Sequence, residues 1–98
     1  TLEGARLAYD AATAEYDAVL LPTAPNLPPD LERLNSDHDY YVTENLLALR
    51  NTRIGNLMGL CALSLPTHNP SCGLMMMAAP DSEEALLRLG VAAEAALA

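Results

Sequence analysis

The sequence has no tryptophan, no phenylalanine and not one lysine. Without Phe or Trp, any core must be filled by Leu, Ala, Met and Val, and the 4 tyrosines are the only large rings. Without Lys, 5 arginines carry all the positive charge against 13 acidic residues, leaving a net charge of −8. A chain this acidic repels a phosphate backbone, so it argues against nucleic-acid binding, and it argues against an anionic membrane surface for the same reason. Nor can a Ser–Lys catalytic pair be assembled from these residues alone. Long apolar runs are missing too. The longest, residues 57–65 and 74–79, are strand-sized and far short of the roughly 20 residues that span a bilayer. No charged leader precedes an apolar segment, so no secretory signal is read. The 2 cysteines are too few for a disulfide scaffold and predict a reducing, cytoplasmic setting.

What is present is a chain of 98 residues, one domain at most, with a thin stability margin. Its hydrophobic content of 51% argues against disorder. It begins at Thr1 without Met, which fits a processed protein, an expressed fragment or a product of proteolysis.

Periodicity places the elements. In residues 2–16, Leu2, Ala5, Tyr9, Ala12 and Tyr16 recur at steps of three and four, as one face of a helix does. Arg6 and Asp10 are spaced to pair across a turn. Residues 18–21, Ala-Val-Leu-Leu, form an unbroken apolar run and read as a strand buried on both faces, stopped by Pro22. Residues 22–39 hold prolines 22, 25, 28 and 29 and read as a long loop with one helical turn near residues 30–34. A helix is expected from about Thr43, with Leu46, Leu47, Ile54, Leu57 and Met58 along one broad side. Gly59 fits the left-handed position just past its end, and Gly55 a close approach by another backbone. Residues 61–65 and 73–79 make two more strands around the turn "THNPSC", an antiparallel hairpin that sets Leu65 near Leu74 and Cys61 near Ala78. In the first strand of this hairpin the small residues Ala62 and Ser64 imply a tightly packed neighbour on their face. Cys61 and Cys72 fall on the order of 15 Å apart, too far for a bridge, so both are expected as free thiols. A last helix is expected from Asp81, with a capping box to Glu84, an inner stripe of Leu86, Leu89, Ala93 and Leu97, and a Glu84–Arg88 pair.

The sum is an α/β fold. Its mixed sheet of three strands has two parallel strands joined through a helix crossover, plus an antiparallel hairpin strand, with covering helices. Strands apolar on both sides do not suit a sheet in which two of three strands are edges, so the sheet reads as part of a wider one.

Candidate chemistry is sparse. His38, between Asp37 and Asp39, reads as part of a solvated loop rather than a metal site. His68, near Ser71 and Cys72, reads as part of a polar turn rather than the base of a thiol nucleophile. The spacings match no zinc pattern. Alternating methionines in "GLMMM" point to opposite faces and read as core filling, not a soft-metal site. No metal or cofactor is expected. Arg50 and Arg53, three apart, read either as a surface pair offsetting negative charge, or as a contact to a carboxylate of a substrate or of the fold.

Three stretches taken in order, "YDAVLLPTAP" at 16–25, "NTRIGNLMGLCALSLPT" at 51–67 and "GLMMMAAPDSEEALLRLG" at 73–90, resemble the C-terminal end of amidase-signature hydrolases. The resemblance implies a larger mixed sheet. It implies hydrolysis of a carboxamide through a serine, a bridging cis-serine and a lysine, all upstream of these residues. Residues 1–98 would then be a single C-terminal segment, inactive alone, whose partner is the remainder of the amidase chain and whose small amide substrate binds only in the full enzyme. Some members, the glutamine amidotransferase A subunits among them, hold the substrate amine with an acidic residue at the position of Leu49, so that contact is not carried over. The resemblance implies that the helix before Asn56 approaches the substrate pocket, so Arg50, Arg53 and Asn56 are expected at the pocket rim, while Gly55, Gly59 and Pro66, read from the residues themselves, have structural roles. The alternative is a stand-alone α/β interaction module that covers its sheet edges by forming a homodimer. A small thiol enzyme using Cys72 and His68 is the remaining reading.

Overall fold

A computed structural model describes all residues from Thr1 to Ala98. The elements run α1 (Leu2–Thr13), β1 (Val19–Pro22), α2 (Leu31–Ser36), α3 (His38–Met58), β2 (Cys61–Pro66), β3 (Gly73–Ala78) and α4 (Glu83–Leu97).

The sheet has the order β1-β3-β2. β1 and β2 run in the same direction on either side of helical segments, as expected for two strands joined by a crossover. They are not neighbours, however, because β3 lies between them and pairs antiparallel with both. The reason is hydrophobicity. Met75, Met76, Met77 and Ala78 are all buried, and only the middle strand of three can bury both faces. The hairpin register matches expectation, with Cys61 opposite Ala78 and Leu65 opposite Leu74. Both cysteines are free.

One face of the sheet carries the main core. Leu65, Met76, Ala78 and Leu86 form its centre, and Cys61, Leu63, Leu89, Ala93 and Leu97 pack around it. The inner stripe expected for α4 is thus in place. Its start is not. The helix begins at Glu83 with Ser82 as N-cap and no capping side chain, so the Asp81–Glu84 capping box is absent. Asp81 instead takes φ 61, a left-handed turn position that Asp tolerates better than most residues. The Glu84–Arg88 pair is formed.

On the opposite face Met77 lies under α3. A methyl added at Gly55 would stand 3.4 Å from Met77 Sδ, so this glycine admits a side chain rather than a backbone. Ala62 and Ser64 face this side and are exposed; Ala62 lacks the tight neighbour that its size implied, and the close neighbour of Ser64 is the Thr23 hydroxyl. β1 is an edge strand, and Leu20, opposite the buried Met76, is 58% exposed. Its expected burial on both faces is not met, because α4 lies over β2 and β3 and leaves β1 uncovered.

The middle of the chain departs furthest from expectation. α3 starts at His38, not near Thr43, because Asp37 caps it by accepting from the Tyr40 N–H at 3.1 Å. His38 therefore opens a helix and is exposed there. The helical turn expected near residue 30 is α2, capped by Asp30. Of the broad side expected for α3, Leu47 and Met58 are half-buried, whereas Leu46, Ile54 and Leu57 are exposed. The buried residues of α3 are Asn51 and Gly55. Gly59 ends the helix at φ 71, ψ 32, in the left-handed conformation expected of it. The Arg6–Asp10 pair does not form. Arg6 Nε donates instead to the Leu57 carbonyl at 2.8 Å, joining α1 to the end of α3.

Candidate functional site

α3 has two faces of different character. On the inner one, Tyr40, Glu44 and Asn51 lie in a row at helical spacing and each holds the proline-rich segment. The Tyr40 hydroxyl accepts from the Asp30 N–H at 3.1 Å, and its ring sits under the Arg33 guanidinium, 4.1 Å from the centroid. Glu44 accepts from Asn26 Nδ2 at 2.6 Å. Asn51 Nδ2 donates to the Pro22 carbonyl at 2.8 Å. The end of β1 is fixed from two further directions. Thr23 N–H donates to the Gly73 carbonyl at 3.0 Å, and the Thr23 and Ser64 hydroxyls share a hydrogen bond of 2.5 Å.

On the outer face, at about 100° per residue, Val42, Leu46, Leu49, Arg53, Asn56 and Leu57 share about a third of the circumference, opposite Asn51. Arg50 stands at its border. All of these residues are exposed, with Leu46 55%, Leu49 47% and Leu57 45% accessible. Neither Arg50 nor Arg53 makes a salt bridge; the pairs formed are Arg33–Asp37 and Arg88–Glu84. The structure thus brings Arg53 and Asn56 onto one open apolar face and sets Arg50 beside them. It gives none of them a partner within the chain.

The remaining candidates stay apart. His68 and Cys72 lie in the exposed β2–β3 turn, where Thr67 Oγ1 donates to the Cys72 carbonyl at 2.6 Å. Cys61 lies half-buried at the far end, with Sγ directed to the Ala79 carbonyl at 3.3 Å. Met76 joins the α4-side core while Met77 meets Gly55, so the methionines divide between faces as their alternation predicted. No three His, Cys, Asp or Glu side chains come together. No helix is long and apolar enough to cross a membrane.

A cleft of about 710 Å³ lies elsewhere, between α1, α4 and one end of the sheet. Tyr9, Asp10, Asp17, Leu86 and Arg88 line it. Burial and, secondarily, the nearby Asp10 carboxylate push the Tyr9 phenol above its ordinary pKa. The cleft holds no nucleophile beside a base, and none of Arg50, Arg53 and Asn56 reaches it.

Reading from periodicity missed Asn51 and the Thr23–Ser64 pair. Asn51 falls on a helix face that a hydrophobicity pattern assigns to apolar residues. The available signal was a lone amide in register with Tyr40 and Glu44.

Comparison with known proteins places the chain. The amidase family's sequence profile matches residues 2–87. The chain is 35% identical over 85 residues to a 2-amino-5-chloromuconic acid deaminase of Comamonas testosteroni, covering 83% of this chain and 18% of that protein. It is 32% identical over 90 residues to the A subunit of a glutamyl-tRNA(Gln) amidotransferase from Streptococcus pneumoniae, covering 89% of this chain and again 18% of the relative. An uncharacterized protein from the nthA 5′ region of Rhodococcus erythropolis is 29% identical over 93 residues, of which the match covers 47%. The chain therefore spans less than half the length of these relatives. No solved structure matches. By its match over residues 2–87, the chain belongs to the amidase family.

Proposed function

We propose that these residues are the C-terminal part of an enzyme that hydrolyses a carboxamide C–N bond, and that they form one wall of its substrate cleft. The reaction is acyl transfer to water with ammonia or an amine leaving. The serine nucleophile, the bridging cis-serine and the lysine belong to the rest of the enzyme. Its setting is cytoplasmic. The observation that carries this reading is the outer face of α3. An apolar helix face exposed along its length, with two unpaired guanidinium groups in a chain of net charge −8, is built to meet something. The relatives' greater length supports the remainder of the enzyme as the body that it meets.

Toward the C-terminal end of that face, Arg53 and Asn56, with Arg50 beside them, stand at the cleft rim. There a guanidinium takes a substrate carboxylate by a charge-assisted hydrogen bond. One relative's name gives it an acid as substrate, which fits this assignment. Leu49, between the arginines' side of the helix and Asn56, offers no charge to a substrate amine.

The test uses the longer enzyme carrying this segment and measures ammonia release from a carboxylate-bearing amide and a neutral amide. Changing Arg50 and Arg53 together to Ala should lower the ratio of kcat/KM for the acidic over the neutral amide by about tenfold or more, the worth of one charge-assisted hydrogen bond. An unchanged ratio removes the rim role. Absence of release from any carboxamide, or release by the 98-residue chain alone, overturns the hydrolase reading.

A further inference from the structure

Asn51 is the one buried polar side chain of the molecule, 8% exposed. Its bond to the Pro22 carbonyl is the hydrogen bond that joins α3 to a strand. The other side-chain bonds of the inner row, from Tyr40 and Glu44, reach only the coil that follows β1. The rest of the inner face is poor in shape. At Gly55 there is no side chain to key into the sheet, and Met77, which meets it, is flexible. Apolar contact therefore sets how near α3 lies to the sheet, but it sets the helix's rotation about its own axis weakly. The directional contact at this level is the Asn51 carboxamide.

We infer that Asn51 is a positioning residue for substrate recognition: by bonding to the Pro22 carbonyl it fixes the rotation of α3 and so the direction in which Arg53 and Asn56 project from the opposite side and Arg50 from its border. The inference rests on the rim reading given above. The geometry gives it leverage. With side chains the helix is about 10–12 Å across, so a rotation of about 20° carries an outer-face group about 2 Å. Misplacement on that scale is costly for a group that must meet a substrate in one orientation. Pro22 itself suits the anchor, because its ring fixes φ and its pairing in β1 sets ψ, which together aim its carbonyl. Thr23, bonded to Gly73 and Ser64, keeps the same residue seated on the sheet from the other side.

The experiment compares Asn51→Leu, Arg53→Ala and the double variant in the longer enzyme, reading kcat and KM separately for a carboxylate-bearing and a neutral amide. Asn51→Leu keeps the volume and removes the donor. It should raise KM for the acidic amide and lower the acidic-over-neutral ratio about tenfold. In the double variant the two losses should not add, because a guanidinium already misdirected has little left to lose. Equal effects on both amides, or additive losses, would make Asn51 a stability residue and overturn the inference. An effect of Arg53→Ala without one of Asn51→Leu also overturns it and leaves the rim reading intact. No effect of Arg53→Ala takes away both. If Asn51→Leu does not accumulate, Asn51→Ser, which retains a shorter donor, should give an intermediate ratio; a wild-type ratio there counts against the inference.

Discussion

At the scale of single residues, Gly59 is the position where backbone conformation decides most. It holds φ 71, and a methyl there would meet Arg6 Cζ only at 3.8 Å, an ordinary contact. The cost of Gly59→Ala is therefore one of conformation, about 1–2 kcal/mol, with Gly59→Asn costing less. Urea midpoints of the two variants check this, and an alanine variant as stable as the parent would contradict it. This residue was legible beforehand, because a glycine between a periodic segment and a short strand has few other uses. Asn51 was not legible. Its role depends on where the Pro22 carbonyl lies in space, 29 residues away. Arg53 and Asn56 were legible as residues of interest, but their shared open face appears only once Asn51 shows which side of α3 is inward.

Among the elements, β2, β3 and the inner stripe of α4 followed directly from their patterns. Each is bounded by Pro or Gly and filled by residues of one character. α3 did not, because its apolar residues are divided between a face toward the sheet and a face toward solvent, and a sum over both blurs the period. Its early start was hidden by an acidic cap set beside a histidine. α1 has the right period yet buries none of its residues. Its attachment is a single directional contact, Arg6 to the Leu57 carbonyl, and α3 has no basic residue of its own in its last turn. Arg6 thus supplies the positive charge that the carboxyl end of α3 favours. Arg6→Ala should lower the hydrogen-exchange protection of α1 amides by about fivefold while leaving α4 unchanged. Equal protection of α1 in both proteins would show that the helix is held by apolar contact instead.

The molecule as a whole is a slab, 46 × 40 × 17 Å, with a radius of gyration of 15.6 Å where a free-standing domain of this length would have about 13 Å. Its accessible surface is 6948 Å², against about 5,400 Å² for a monomer of the same mass. That excess, about 1,500 Å², is about twice what a standard stable interface removes from one partner. Little surface is hidden here, so little is released on unfolding. The urea m-value of the 98-residue chain should therefore fall at or below about 1 kcal/mol/M, the low end for small proteins. A larger value would mean a more compact or self-associated state, separable by sedimentation at several concentrations. The central place of β3 has a further result for biosynthesis. Val19 meets Met77 and Ala62 meets the same methionine, so within these residues neither outer ribbon has its partner until the last one is made. A ribosome that pauses before Gly73 holds two unpaired ribbons, and the whole sheet must wait for the codons that spell out the methionine run.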